Sequence, residues 1–259
     1  MQSGCGVAIA RDFGHTYMES KPAPIDEGSR SVSQSGSADS EPVDDDLDVG
    51  EVVDAAREHR PDGVRAGLDR AVDEGGLGRC IDEVLLPAVR ELGGRCAGEG
   101  HEPTVRLAVE TIRAWLESRI ALAPAPDAGP PVIMACGPGE RHSLPLEAFT
   151  ALLRDRRQPC RMLGPRVSAH AMSIALEVNR PAAVVIAAQL DSGHRQSTSL
   201  LRAMDEIGIT TFYAGAAFDL PLMRRDTPGT YLGTNLQDAC EVVLRVLRAS
   251  AGDGAARSE

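Results

Sequence analysis

The segment from Gly137 to His142 has the residue types of a ligand-binding loop. It follows a short apolar run, PVIMAC at 131–136, and it places Glu140 two residues before His142. A neutral imidazole is a good transition-metal ligand, and its other ring nitrogen needs a hydrogen-bond acceptor that fixes the tautomer. Glu140 is close enough in sequence to be that acceptor. The same spacing also fits a solvated loop in which these residues are ordinary surface charges.

Two other types of site compete with this one. Gly137 and Gly139 resemble the start of the dinucleotide fingerprint G-x-G-x-x-G, but its third glycine falls on His142, which removes the close helix–strand approach. A second polar group follows the third apolar run of this region and consists of Asp191, Ser192, His194 and Arg195. A hydrolase built on these residues is disfavoured because the chain has no G-x-S-x-G elbow. Two interpretations of these residues are equally good: they contact the rim of a bound ligand, or they form a solvated loop.

The elements around the loop predict an α/β fold. Apolar runs alternate with helical patterns, and the predicted strands are 131–136, 160–164, 182–188, 209–215 and 230–233. The predicted helices between and after them are 144–156, 168–179, 196–207 and 236–249. Continuous apolar runs are typical of parallel strands buried on both faces. We therefore predict a flavodoxin-like, doubly wound, five-stranded parallel sheet at 131–250, with its ligand beyond the carboxyl ends of the strands.

The chain before the sheet predicts an all-α four-helix bundle at 47–123, because apolar residues recur there at helical spacing. Pro87 lies inside one of these stripes, so a kink or break is expected there. A Pro/Ala linker is predicted at 124–130. The Ser-rich, acidic segment 1–46 and the end of the chain at 251–259 are predicted to be a disordered and a flexible tail.

Composition excludes several classes of function. The chain has 259 residues, a formal net charge of -11 and only 3% aromatic residues, which argues against nucleic-acid binding through a global positive field. No apolar run approaches the roughly 20 residues that span a bilayer, and no basic region precedes the first apolar stretch. The six cysteines are scattered without a C-x-x-C, so neither a disulfide framework nor a structural zinc site is expected. The prediction is an acidic cytoplasmic protein.

The run ACGPGERHSLPLEAFTALLRDRRQPCRMLGPRVSAHAMSIALEVNRPAAVVIAA at 135–188 resembles the cobalamin-binding domain family. It is most similar to the branch found in light- or cobalamin-responsive transcriptional regulators. The resemblance covers about 131–249, and the segment 47–123 is similar to the helical bundle that precedes the domain in that branch and in corrinoid methyl carriers. It implies cobalamin as the cofactor, in its adenosyl, methyl or hydroxo form.

The family's first loop carries D-x-H-x-x-G, or E-x-H-x-x-G in the regulator branch. Here it is Glu140-Arg141-His142-Ser143-Leu144-Pro145. The resemblance implies that His142 replaces the cofactor's own lower base on cobalt, with Glu140 as its hydrogen-bond partner. The displaced nucleotide tail then enters a pocket in the sheet. Pro145 stands at the glycine position, and its bulkier ring is expected to narrow that pocket.

Two further signatures are altered. The second, S-x-L, matches Ala187-Ala188-Gln189, so the hydroxyl that would bond the tail base is missing and the Gln189 amide is the expected substitute. The third, G-G, matches Ala214-Gly215, which keeps one glycine for close backbone approach. The implied cofactor-binding residues are Glu140, His142, Ser143, Pro145, Ala187, Gln189, Ala214 and Gly215, with His142 as the metal ligand.

In the photoreceptor branch a tryptophan and a Glu-His pair cover the upper face of the corrin. The matching positions here are Cys96 and Val105-Arg106, while His101-Glu102 is a reversed pair nearby. A light-driven cleavage of a cobalt–carbon bond is therefore not expected. Trp115 lies on an apolar stripe and is interpreted as a packing residue.

The resemblance implies a cobalamin-binding sensor or regulatory protein rather than an enzyme. The chain has no recognisable helix-turn-helix with a basic face, so direct DNA binding is not expected and a protein partner would carry the signal. Homo-oligomerisation stays open. The alternatives are a corrinoid methyl carrier of a methyltransferase system and a degenerate domain that has lost cobalamin.

Overall fold

The computed structural model describes residues 48–95 and 102–256. The predicted tail 1–46 lies outside the described residues, as do 257–259. The helical part comprises α1 (Val49–Arg57), α2 (Pro61–Arg79), a π-helical segment (Cys80–Leu85), α3 (Leu86–Arg95) and α4 (Glu102–Leu122). Within the described ranges, no helix is both long enough and apolar enough to cross a membrane.

Local sequence explains where these helices begin and bend. The Asp48 side chain accepts a hydrogen bond from the Glu51 amide at 3.2 Å and caps α1. Pro61 opens α2, where its missing N–H is not needed. The expected kink at Pro87 takes the form of the π-helical segment just before it, in which the Leu86 N–H donates to the Ile81 carbonyl. This wider turn contains Glu83, the residue whose carbonyl the proline ring would meet in a regular α-helix.

The sheet part alternates strands and helices. Its elements are β1 (Val132–Cys136), α5 (Leu144–Asp155), β2 (Cys160–Gly164), α6 (Ala169–Asn179), β3 (Ala183–Ala187), α7 (Asp191–Glu206), β4 (Thr211–Ala214), a 3₁₀ turn (Ala216–Phe218), α8 (Pro221–Arg224), β5 (Thr230–Tyr231) and α9 (Leu236–Ala256). All pairings are parallel and the strand order is β2-β1-β3-β4-β5. This confirms the predicted flavodoxin-like, five-stranded parallel sheet.

Several predicted boundaries differ from the structure. β5 has only two residues, and α9 continues to Ala256, beyond the predicted end at 249. α7 begins at Asp191 instead of at 196, so Asp191, Ser192, His194 and Arg195 lie on a helix and not in a loop. Asp191 lies in the first turn of α7, where its negative charge interacts favourably with the positive end of the helix dipole. This helps the polar residues after β3 to begin a helix.

The core lies on both faces of the sheet. Val132, Met134 and Cys136 of β1 belong to an apolar cluster that also contains the buried residues of the helical part, of α5 and of α9. Ile133 and Ala135 alternate with them and pack in a second cluster with α6 and α7. The helical part therefore packs against one face of the sheet through shared apolar contacts.

Two polar contacts also join the helical part to the sheet part. Asp82, in the π-helical segment, accepts hydrogen bonds from the Leu236 and Gln237 amides at 2.9 and 3.0 Å and so caps α9. Arg113 of α4 forms an ion pair with Glu147 of α5, with Nε and Oε2 3.0 Å apart. Both contacts reach helices that begin at the carboxyl edge of the sheet, α5 after β1 and α9 after β5.

Candidate functional site

The loop between β1 and α5 lies at the carboxyl edge of the sheet. The Gly137 amide donates to the Ala187 carbonyl at 2.9 Å, and the Glu140 amide donates to the Gly137 carbonyl at 3.0 Å, which closes a tight turn. Gly139 has a φ of 87°, a conformation that glycine adopts without strain. The order of the strands reverses between β1 and β3, and this is where open α/β sheets bind ligands.

Glu140 is fully buried and holds the loop together. Its Oε1 accepts hydrogen bonds from the Arg141 and His142 amides at 2.8 and 2.7 Å. Its Oε2 accepts from the Gln189 and Leu190 amides, which follow β3, at 2.6 and 3.0 Å. Burial alone would raise the pKa of this carboxyl, but the His142 ring and these amides favour its charged form and lower the pKa to about 2. Glu140 is therefore a buried carboxylate.

The His142 ring lies against this carboxylate, with Nδ1 and Oε1 2.7 Å apart. An ionised carboxylate can only accept a hydrogen bond, so Nδ1 carries the proton. In the neutral ring, Nε2 then keeps its lone pair, which is the form that binds a metal. The side chain is 6% exposed and Nε2 is buried. The predicted Glu140–His142 pair is thus present with a defined tautomer.

Ser143 connects this pair to the helical part. Its Oγ donates to Glu147 Oε1 at 2.7 Å, and Glu147 also accepts from Arg113 of α4. Burial opposes the charge on Arg113, but the neighbouring carboxylates outweigh it and raise the pKa of the guanidinium. The residue after His142 is therefore held through two side chains by a helix outside the sheet part. Sequence reasoning missed Arg113 and Glu147, because no local pattern pairs residues 34 positions apart.

The other predicted residues line a cleft beside the loop. Gln189 is one of the lining residues, and its Oε1 accepts from the Ala216 amide at 3.2 Å. Ala187 is buried at the end of β3, and Ala214 ends the neighbouring β4. The cleft is lined by Leu86, Pro145, Leu146, Phe149, Val185, Ala187, Gln189, Ala214, Gly215, Ala216, Asp219, Gly233, Thr234 and Leu236. Its volume is about 50 Å³.

Gly215 brings two loops into close contact at this cleft. Its φ of 106° and ψ of 161° lie in a region that is essentially restricted to glycine. A Cβ atom at this position would lie 2.2 Å from the Ala188 carbonyl oxygen. The retained glycine of the third signature is therefore required by the backbone of the protein itself.

Replacing Gly215 with alanine is expected to destabilise the protein by about 2–4 kcal/mol, since backbone strain adds to a steric clash. The measurement is the free energy of unfolding in urea. Gly233→Ala is the matched control, because Gly233 has a φ of 76° but no neighbour within 4 Å of the added Cβ. The Gly233→Ala variant should be destabilised by backbone strain alone, by about 1–2 kcal/mol. Equal losses in the two variants would contradict the close approach to Ala188.

Some predicted positions are not brought to the site. His194 Nε2 donates to the Met223 carbonyl at 2.8 Å, so this histidine joins α7 to α8. Val105 is buried in the core, and Trp115 is buried with its Nε1 donating to Asp69 at 2.7 Å, which confirms the packing interpretation of the tryptophan. Cys96 and His101 lie outside the described residues.

The solved structures that match the chain include corrinoid proteins. The Methanosarcina barkeri monomethylamine corrinoid protein matches with a TM-score of 0.57 and 16% identity, over 75% of this chain and 96% of its own. A chain of the Methanosarcina barkeri methanol:cobalamin methyltransferase complex matches at 22% identity and a TM-score of 0.43, over 79% and 81%. A cobalamin-binding protein from Desulfitobacterium hafniense DCB-2 matches at 13% identity and a TM-score of 0.40, over 77% and 98%.

No family model and no curated protein matches the chain. The monomethylamine corrinoid protein is similar over nearly its whole length, so the likeness includes both the helices and the five-stranded sheet. The chain therefore has the Rossmann-like fold, with a preceding helical part, that occurs in corrinoid-binding proteins.

Proposed function

We propose that this chain binds a corrinoid at the carboxyl edge of the sheet, with His142 as the lower axial ligand of cobalt. The observation that carries the proposal is the buried Glu140–His142 pair. Its carboxylate fixes the proton on Nδ1 and leaves the Nε2 lone pair for a metal. A surface histidine does not need a fully buried carboxylate held by amides from two loops.

The residues present fit the axial position. His142 would bind the metal, and Glu140 would orient the ring and raise its basicity. The Gln189 and Leu190 amides would hold Glu140 in place. A bound corrinoid would supply a cobalt centre whose upper face carries an exchangeable or alkyl ligand. We take adenosylcobalamin, methylcobalamin and hydroxocobalamin as the candidate forms.

The cleft beside the axial position does not fit a nucleotide tail as it stands. The cleft has a volume of about 50 Å³, whereas pockets for molecules of drug size measure about 300–1,000 Å³. The pocket that the resemblance implies for the tail is therefore small in this chain, and Pro145 is part of its wall.

We further propose that the protein is a sensor that acts through a protein partner in the cytoplasm. His142 Nε2 is buried, so a corrinoid can bind only when the neighbourhood of the loop rearranges. Ser143, Glu147 and Arg113 connect that loop to α4, which gives the rearrangement a route to the helical part. A ligand shifts such an equilibrium by its difference in affinity for the two arrangements.

A methyl carrier is the second candidate, because the monomethylamine corrinoid protein has a similar fold over 96% of its length. The two candidates differ in chemistry. A carrier would be reduced to Co(I), accept a methyl group and pass it to a partner enzyme. A sensor would bind its protein partner differently with and without corrinoid. Methyl transfer measured with the reduced, corrinoid-loaded protein separates the two.

The axial ligand can be identified by electron paramagnetic resonance of the Co(II) form. Protein grown with nitrogen-15 histidine is loaded with unlabelled hydroxocobalamin, freed of excess ligand and reduced to Co(II). Coordination by histidine is expected to split each cobalt line into two, because nitrogen-15 has spin one-half. Unlabelled protein should split each cobalt line into three, because nitrogen-14 has spin one. Three lines from both samples would mean that the cofactor's own base stays on cobalt and would overturn the proposed coordination.

A further inference from the structure

We infer that this chain selects corrinoids that lack the nucleotide tail, and that Pro145 is a specificity-determining residue. The inference rests on the proposed corrinoid binding and concerns which corrinoid is bound. It follows from the size, the walls and the charge of the cleft next to His142.

The cleft is in the right place to receive a tail but lacks the room. It opens between the ends of β3 and β4 and the start of α5. Pro145, three positions after His142 in the chain, is one of its lining residues. The volume of the cleft is about 50 Å³, and since about 10–15 Å³ on the same measure holds one water molecule, the cleft has room for only a few waters. The Pro145 ring stands in its wall, as expected from the missing glycine. A benzimidazole with its ribose and phosphate cannot enter without moving these walls.

The walls are part of the core and are costly to move. Three of the lining residues, Leu146, Phe149 and Val185, are at most 3% exposed. They belong to the apolar cluster in which α5 packs against one face of the sheet. Gly215 is fixed by the Ala188 carbonyl on the opposite side. Because overpacking of a filled core is destabilising, a bulky tail would bind at the expense of this packing.

The polar groups of the cleft also oppose a nucleotide tail. Asp219 is the charged residue in its lining, and its Oδ1 accepts a hydrogen bond from the Tyr231 hydroxyl at 2.8 Å. None of the lining residues is basic, so a phosphodiester in the cleft would face the Asp219 carboxylate. The Arg224 guanidinium, which donates to the Asp219 carbonyl at 2.8 Å, lies outside this lining. The Gln189 amide oxygen accepts from the Ala216 amide at 3.2 Å, which orients the side chain that stands at the serine position.

Three corrinoids separate the effect of the tail from that of the internal cobalt ligand. Diaquacobinamide has no tail, p-cresolyl cobamide has a tail whose phenolic group cannot bind cobalt, and hydroxocobalamin has a tail that does. Titration of the purified full chain, followed by visible absorption, is expected to give at least about tenfold tighter binding of cobinamide than of either tailed corrinoid. Cresolyl cobamide binding as tightly as cobinamide would overturn the inference, since the tail would then cost nothing.

Replacement of Pro145 by glycine tests the residue itself. Removal of the ring is expected to reduce the preference for cobinamide over p-cresolyl cobamide by about threefold or more, while the remaining walls keep part of it. Pro61→Gly is the matched control, because Pro61 also starts a helix but lies in the helical part. It should leave the tenfold preference unchanged.

The outcomes distinguish the two levels of the proposal. If none of the three corrinoids binds, the proposed function fails. If the corrinoids bind and Pro145→Gly leaves the preference as in the native chain, corrinoid binding stands and the role of Pro145 is wrong. Circular dichroism of each variant checks that the fold is retained.

Discussion

Replacing His142 with alanine is expected to weaken hydroxocobalamin binding by at least about 100-fold and to remove the histidine-dependent change in its visible spectrum. Removing the hydrogen-bond partner of a metal ligand already weakens metal binding roughly 10–100-fold, and removing the ligand itself should weaken binding at least as much. The nitrogen-15 splitting of the Co(II) signal should also disappear in this variant. The measurement is an absorption titration after gel filtration of the loaded protein.

His170→Ala is the matched control for this experiment. His170 is exposed on α6 and lies outside the loop, so its replacement should leave affinity and spectrum unchanged. The melting temperature of both variants shows whether either has lost its fold. A His142→Ala protein that keeps the native spectrum and affinity would contradict axial coordination by this residue.

Replacing Glu140 with alanine is expected to cost about 3–5 kcal/mol of folding free energy. The carboxylate accepts hydrogen bonds from four backbone amides and from the His142 ring, and these donors would lose their buried partner. Glu140→Gln should restore little, because its NH₂ group would face N–H donors. Urea denaturation at neutral pH measures the loss, and Glu177→Ala, on the exposed side of α6, is the control.

The pH dependence gives this prediction a second readout. The pKa of Glu140 is lowered from 4.5 to about 2, so its stabilisation is complete above pH 4.5 and is lost as the pH falls towards 2. The native protein should lose roughly 3 kcal/mol from this group over that window, at a slope of up to about 1.4 kcal/mol per pH unit. Glu140→Gln removes the titrating group, so its curve should be flatter by that amount. Parallel curves for the two proteins would contradict a buried, ionised Glu140.

Sequence patterns predicted the sheet well because its strands are buried on both faces. β1 and β3 are continuous apolar runs, and each lies where it was expected. The start of α7 was missed because Asp191, Ser192 and Gly193 are turn-forming residue types, although an acidic residue also suits the first turn of a helix. Pro87 indicated a kink or break, but its π-helical form was not predicted, because that form depends on a shift in hydrogen-bond register.

The candidate site was predicted in part. The two-residue spacing of Glu140 and His142 places them in one loop, so their contact could be expected from local geometry. The amides of Gln189 and Leu190 could not be identified as partners of Glu140, because that contact depends on how the end of β3 meets the loop after β1. The same holds for Arg113, whose role depends on the packing of α4 against α5.

The π-helical segment has a geometric consequence for the whole molecule. A π turn is an α-helix with one additional residue, and each residue of an α-helix turns the chain by about 100°. The extra residue therefore shifts the phase of α3 relative to the last turn of α2, which follows the non-helical backbone at Gly76 (φ 78°, ψ 167°). It allows Ile81 and Leu85 to face the apolar core while Asp82, between them in sequence, reaches the start of α9. Deleting one residue between Asp82 and Pro87 would turn Asp82 by about 100° relative to α3 and would bring the Pro87 ring against a carbonyl of the preceding turn.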